Sequence, residues 1–263
     1  MKLHICGTAT EAANAAGFLV AEQLGRKPDS VLGLATGRTS LGIYNELVRL
    51  HAEGRADFSR AHTLNLDEFI GLSSKDRRSF CAFMERHLFR RVNIPPDHVH
   101  FLNGNARDLD AECLRYEALI DSLGGIDLQL LGVGANGHVG FNEPAPALYA
   151  RTHRARLTLE TRRANAPVAG GRVRDVPREA LTIGMATILE ASAIVLVAMG
   201  RSKARAVEAM FTRNISTAKP VSFLQLHPEV DVILDREAAS RLPRSLAGPS
   251  RPTRAGATAL ERR

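Results

Sequence analysis

Strand-like and helix-like segments alternate along almost the whole 263-residue chain, which predicts an α/β fold with a parallel or mostly parallel sheet covered by helices. Two further observations agree. The runs IDLQLLGVG (126–134) and IVLVAMG (194–200) are apolar almost throughout, as strands buried on both faces are. Polar, glycine-rich text follows several strand-like runs, where open α/β sheets bind their ligands. A hydrophobic content of 44%, with no internal repeat and no Pro/Gly-rich linker before residue 241, predicts one domain over 1–240 and a basic, flexible tail over 241–263.

The elements follow in order. KLHIC (2–6) reads as a first strand. Thr8 or Thr10 caps a helix running to about residue 25, with Ala12, Ala15, Ala16, Leu19 and Val20 on its apolar face. VLGLAT (31–36) is a short apolar strand, and the helix after it, to about residue 53, turns Ile43, Leu47 and Leu50 inward. HTLNL (62–66) is a strand that stops at Asp67; a loop and a helix over about 79–91 follow. HVHFL (98–102) is a strand and 109–123 a helix, and the strong strand at 126–134 comes next. RARLTL (154–159) reads as a strand, and 178–191 as helical at least in its second half. After the buried strand at 194–200, 202–211 is a helix, VDVILD (230–235) a last strand, and REAAS the start of a last short helix.

Composition excludes several classes. No apolar run is long enough to span a membrane, and the N-terminal text lacks a secretory apolar stretch, so a cytoplasmic protein is expected. Cys6, Cys81 and Cys113 show neither metal nor redox spacing and read as idle thiols. The formal charge of +7 resembles that of a nucleic-acid binder, but five of those charges lie beyond residue 240, where six arginines face Glu261 alone. No nucleic-acid or membrane partner is expected.

Four segments carry candidate chemistry. Thr36-Gly37-Arg38-Thr39 joins a strand to a helix: a sharp turn, hydroxyls and a helix N-terminus make a phosphate cradle, with Arg38 as a charged fork. The same text also fits an ordinary turn with a Thr cap. Asp67, at the end of a buried strand, suits a general base or a turn cap. Gly132, Gly134, Gly137 and Gly140 make a loop set with Asn136, His138, Asn142 and Glu143, in which a carboxylate near an imidazole forms an acid/base pair. No second His or Cys stands at zinc spacing from His138. Lys203, one of only five lysines, falls in the first turn of a helix, where the helix dipole disfavours a cation; it is either an anion ligand or a surface residue.

Together LGLATGRTSLGIYNELVRLH, NLDEFIGL, LLGVGANGHVGFNEP, RTHRARLTLETRRANA, VPREALTIGMATIL and GRSKARAVEAM, in this order, resemble the glucosamine-6-phosphate deaminase (isomerase) family from about residue 3 to 240. The resemblance implies a doubly wound sheet similar to that of 6-phosphogluconolactonases. It implies conversion of D-glucosamine 6-phosphate and water to D-fructose 6-phosphate and ammonia in amino-sugar catabolism, with no cofactor and no catalytic metal. Asp67 falls on the family's enolisation base, His138 on the ring-opening residue and Glu143 on its partner. Thr36, Gly37, Arg38, Thr39 and Lys203 fall on phosphate-binding positions.

Three departures from the family pattern stand out. Asn136 replaces the Asp of many members and holds His138 by hydrogen bonding without carrying charge. Arg38 replaces the second Gly of Thr-Gly-Gly-Thr. Pro167 stands where a phosphate-binding Arg is usual, which leaves Arg38 or Arg172 to supply that charge. The alternatives are galactosamine-6-phosphate deaminase, 6-phosphogluconolactonase, which needs no carbon base like Asp67, and a non-catalytic sugar-phosphate sensor, for which no helix-turn-helix segment is present. The oligomeric state is left open.

Overall fold

Seven parallel strands form the central sheet of the computed structural model, which describes residues 1–243, Ser245 and Leu246. Most of the predicted tail lies outside the described residues. In chain order the elements begin with β1 (Lys2–Cys6), α1 (Ala9–Arg26), β2 (Val31–Leu34), α2 (Arg38–Ala52), β3 (His62–Asn65), β4 (Asp67–Phe69) and α3 (Phe80–His87). β5 (Val99–His100), α4 (Leu109–Ser122), β6 (Leu128–Gly132), β7 (His153–Arg156) and α5 (Leu159–Asn165) follow. The chain then forms β8 (Glu179–Thr182), α6 (Met185–Leu189), β9 (Ala193–Ala198), α7 (Ala204–Met210) and β10 (Val230–Asp235).

The large sheet runs β1-β10-β9-β6-β2-β3-β5, and every adjacent pair is parallel. The order reverses between β2 and β6, so the crevice where ligands bind in such sheets opens at their carboxyl ends. Side chains alternate across the sheet and build two cores. On one face Leu32, Leu34, Leu128 and Leu130 pack against α1 and α2, through Ala12, Ala16, Val20, Ile43 and Leu47. On the other, Leu64, Leu131, Leu196 and Val232 pack against Tyr116 of α4, Ile188 of α6 and Val207 of α7. Thr8 caps α1, its hydroxyl accepting from Glu11 N at 3.1 Å.

Several sequence expectations are corrected. The strand at 62–66 does not give way to a loop at Asp67. The backbone bends at Leu66, and Asp67 opens β4, which pairs antiparallel with β8 in a separate three-stranded sheet, β4-β8-β7. The helix expected in the second half of 178–191 is present as α6, and residues 179–182 ahead of it are strand. The strand predicted over 154–159 ends at Arg156, and Leu159 starts α5, capped by Thr158. The helix predicted over 79–91 ends at His87. REAAS forms a turn rather than a helix, because the Asp235 side chain accepts from Ala238 N at 2.7 Å and closes it locally.

Candidate active site

Four neighbouring strands, β9, β6, β2 and β3, end on the same edge of the parallel sheet. Each is followed by one of the segments singled out above, so the topology gathers residues from 36, 67, 136 and 203 at one crevice mouth.

The loop after β6 is held by its own backbone. Gly134 N donates to His138 O at 2.9 Å and Gly137 N to Gly134 O at 3.0 Å. Within it runs a chain of side-chain hydrogen bonds. Asn136 Nδ2 donates to Glu143 Oε2 at 2.8 Å, and Asn136 Oδ1 lies 2.8 Å from His138 Nδ1. A carboxylate only accepts, so the amide NH2 must face Glu143 and its carbonyl must face the imidazole. His138 Nδ1 therefore carries a proton, and Nε2 is left free to act as a base. His138 Nδ1 and Glu143 Oε2 are 3.6 Å apart, so the carboxylate also acts on the ring directly. Burial alone raises the Glu143 pKa, but the His138 hydrogen bond and charge, with donors from Thr161 and Asn136, prevail and hold it down at about 2.

Gly134 is required by contact. A Cβ there would lie 2.2 Å from His138 Cε1. Gly134→Ala is expected to displace the imidazole and abolish most turnover while leaving the fold intact, as compared by circular dichroism and steady-state rates.

Thr158 and Thr161, at the start of α5, were missed by sequence reasoning. The Thr161 hydroxyl donates to Glu143 Oε1, and Thr158 Oγ1 donates to the same oxygen at 3.2 Å. They stand 15 and 18 residues beyond Glu143, and no local signal links such positions. Thr161→Val is expected to cost ~1 kcal/mol of stability and to lower kcat several-fold, with Thr161→Ser restoring both. The Glu143 pKa is depressed in the fold, so its contribution is present above the unfolded value and lost as pH falls from about 4 to about 2. The variant's deficit in melting temperature should accordingly be larger at pH 7 than at pH 2.

Asp67 sits on the other wall. It pairs in register with Thr182, whose hydroxyl accepts from Phe141 N at 3.1 Å, so the base candidate and the Gly loop meet through β8. Asp67 is 7% exposed, and its Oδ1 has no hydrogen-bond partner among the described residues. Burial, helped by the neighbouring Glu68 charge, pushes its carboxyl up to about 8. Both amide atoms of Asn65, another residue missed from sequence, are likewise buried without partners. Unpaired buried polar groups at a strand end are what a polar ligand satisfies. Glu68 differs: it accepts from the N–H groups of Phe69, Phe80 and Cys81 at 2.8–3.0 Å and anchors the start of α3.

The third wall is cationic. Gly37, at φ 117°, precedes α2, and no side chain caps that helix, so neither Thr36 nor Thr39 plays the capping role and the helix N–H groups stay open. Lys203 lies one residue ahead of α7 rather than in its first turn. Burial lowers the Lys203 pKa and the Arg38 charge lowers it further, against an opposing pull from Glu160. The Arg38 charge thus acts on Lys203, which has no ion pair among the described residues. Arg172 is exposed.

A family profile described as glucosamine-6-phosphate isomerases/6-phosphogluconolactonase matches residues 7–233. The chain belongs to this family. It is 49% identical over 232 residues to a glucosamine-6-phosphate deaminase of Halothermothrix orenii, covering 88% of this chain and 96% of that one. It is 46% identical over 243 residues to glucosamine-6-phosphate deaminase 1 of Bacillus subtilis, covering 92% and 100%. Among solved structures, a monomeric glucosamine-6-phosphate deaminase superposes with a TM-score of 0.88 at 47% identity, over 91% of this chain and 99% of that chain. A 6-phosphogluconolactonase from Trypanosoma cruzi shares the fold, with a TM-score of 0.72 at 19% identity over 92% and 96%. The expected doubly wound, mostly parallel sheet is met in this chain's seven-stranded sheet.

Proposed function

We propose that this family member is an enzyme that converts D-glucosamine 6-phosphate and water to D-fructose 6-phosphate and ammonia, in amino-sugar catabolism. The observation that carries the reading is that neighbouring strand ends supply two differently tuned acid/base groups. A buried carboxyl with its pKa raised to about 8 follows β3 and is tied through Thr182 to the loop after β6, whose imidazole is backed by an ionised carboxylate.

The chemistry runs in three steps. His138 Nε2 takes the proton of the sugar's O1 hydroxyl and returns a proton to O5 as the C1–O5 bond breaks, opening the ring. Ionised Glu143, through Asn136, stabilises the imidazolium formed in between. Asp67 as carboxylate then removes the proton on C2 and delivers one to C1, while the ammonium gives up a proton and the aldehyde oxygen O1 takes one; the open-chain amino aldehyde becomes the C2 iminium of the ketose. Water adds at C2, ammonia leaves, and the ketone of fructose 6-phosphate remains. Thr36, Gly37, Arg38, Thr39 and Lys203 hold the phosphate so that binding energy fixes C1 and C2 between the two walls. Arg38, whose charge acts on Lys203, takes the place of the Arg absent at Pro167. This is the reading of a small-molecule enzyme of the cytoplasm. Among the described residues no helix is long and apolar enough to cross a membrane.

The test is a coupled assay for ammonia and fructose 6-phosphate, run with glucosamine 6-phosphate and its galacto epimer. Stoichiometric formation of both products from the gluco substrate, lost in His138→Gln, is expected. Preference for the galacto epimer, or hydrolysis of 6-phosphogluconolactone without ammonia release, would refute the assignment.

A further inference from the structure

A second positively charged cavity lies outside the crevice described above. It has a volume of about 640 Å³ and is lined by Arg78, Arg162, Arg174 and Arg178, with Asp175 as its one carboxylate. Thr36, Asp67, His138 and Lys203 do not reach it. The rest of the fold makes this concentration notable, because residues 1–240 hold only two of the chain's seven net positive charges. A cleft walled by one sign of charge focuses the field on a bound ion.

Two of the guanidinium groups are built into the wall. Arg162 Nη2 donates to Val173 O at 2.9 Å and its Nε to Val176 O at 3.2 Å. Arg78 pairs with Asp76 at 2.6 Å and reaches Asp175 O at 3.3 Å. Those bonds fix the 173–176 turn against α5 and the 76–78 loop. Arg174 and Arg178, carried by that turn and the residues after it, are exposed and make no ion pair with any of the described residues. Asp76 compensates Arg78, and Asp175 alone is left against the other three.

We propose that this cavity is a second anion site, taking a small molecule that bears a phosphoryl group, with Arg174 and Arg178 as its mobile ligands and Arg78 and Arg162 as its fixed wall. Guanidinium forks match phosphate oxygens two at a time, and the volume is that of a small-ligand pocket. The proposal does not rest on the catalytic assignment.

Isothermal titration with inorganic pyrophosphate tests it, using full-length protein carrying Lys203→Met so that the crevice site is weakened. One saturable site is expected. Adding Arg174→Ala and Arg178→Ala should raise its dissociation constant about 10-fold or more, the loss expected for two charge-assisted hydrogen bonds. Thermal melts within about 2 °C of the parent would show that the surface substitutions leave the fold intact. A parallel titration with glucose 6-phosphate separates a sugar phosphate from the inorganic anion as the preferred occupant. Absence of saturable binding overturns the proposal, as does binding that the arginine substitutions leave unchanged, which would place the anion in the crevice or on another basic surface.

Discussion

Asp67→Asn is expected to lower kcat/KM by about 10²–10⁴-fold, the range a positioned general base contributes, and at the same time to make the protein more stable at alkaline pH. Both effects come from one fact: the carboxyl is buried, its Oδ1 has no donor among the described residues, and its pKa is raised to about 8. The folded state therefore binds a proton that the unfolded chain, with an ordinary carboxyl near pH 4, has already released. Stability falls as pH rises from about 4 to about 8, because over that window the native state holds more protons than the unfolded one. The amide has no such penalty. Its melting temperature should match the wild type near pH 4 and exceed it at pH 8, by an amount equivalent to roughly 1–3 kcal/mol. In the wild type, kcat/KM should climb towards pH 8 as Asp67 ionises, and that limb should vanish from the residual activity of the variant. A destabilised Asp67→Asn, or an unchanged pH profile, would mean that Asp67 is a structural cap. Such exchange of stability for reactivity is a general property of strained or desolvated sites.

Lys203→Met should raise KM about 10–100-fold and change kcat far less, since it removes charge-assisted contacts to the phosphate while keeping the aliphatic stem. The wild-type protein has a second signature. Burial and Arg38 both lower the Lys203 pKa, so substrate affinity should be lost on the alkaline side earlier than an ordinary lysine would lose it. Arg38→Gly should weaken binding as well, and the two losses should not add, because removing either cation relieves the repulsion felt by the other. Phosphate-free glucosamine should distinguish neither variant from the wild type. Strictly additive losses would separate Arg38 from the phosphate site and return the missing charge at Pro167 to another residue.

The alternation of elements and the positions of the chemistry were legible in the chain itself. β9 is apolar throughout and β6 is so apart from Gln129, and α1 and α2 carry their buried residues at helical spacing. These signals are local: a period of 2 or 3.6 is written in consecutive residues. Thr36, Asp67, His138 and Lys203 could be picked out because each follows a strand, and parallel pairing brings strand ends to one edge.

Long-range contact decided the rest. The three-stranded sheet β4-β8-β7 has strands of three and four residues, one of them HRAR, and it exists because Asp67–Phe69 finds Ala180–Thr182 more than a hundred positions away. No periodicity announces such strands, which is why 179–182 resembled the start of a helix. The same holds for the partners of Glu143 on α5, and for Asn65, whose amide is remarkable only once it is known to be buried and unpaired. Residue types and their order along the chain specified the candidate groups for the proposed chemistry. Burial raises the Asp67 pKa and lowers that of Lys203, while hydrogen bonds and the His138 charge outweigh burial at Glu143; these surroundings exist only in the folded chain.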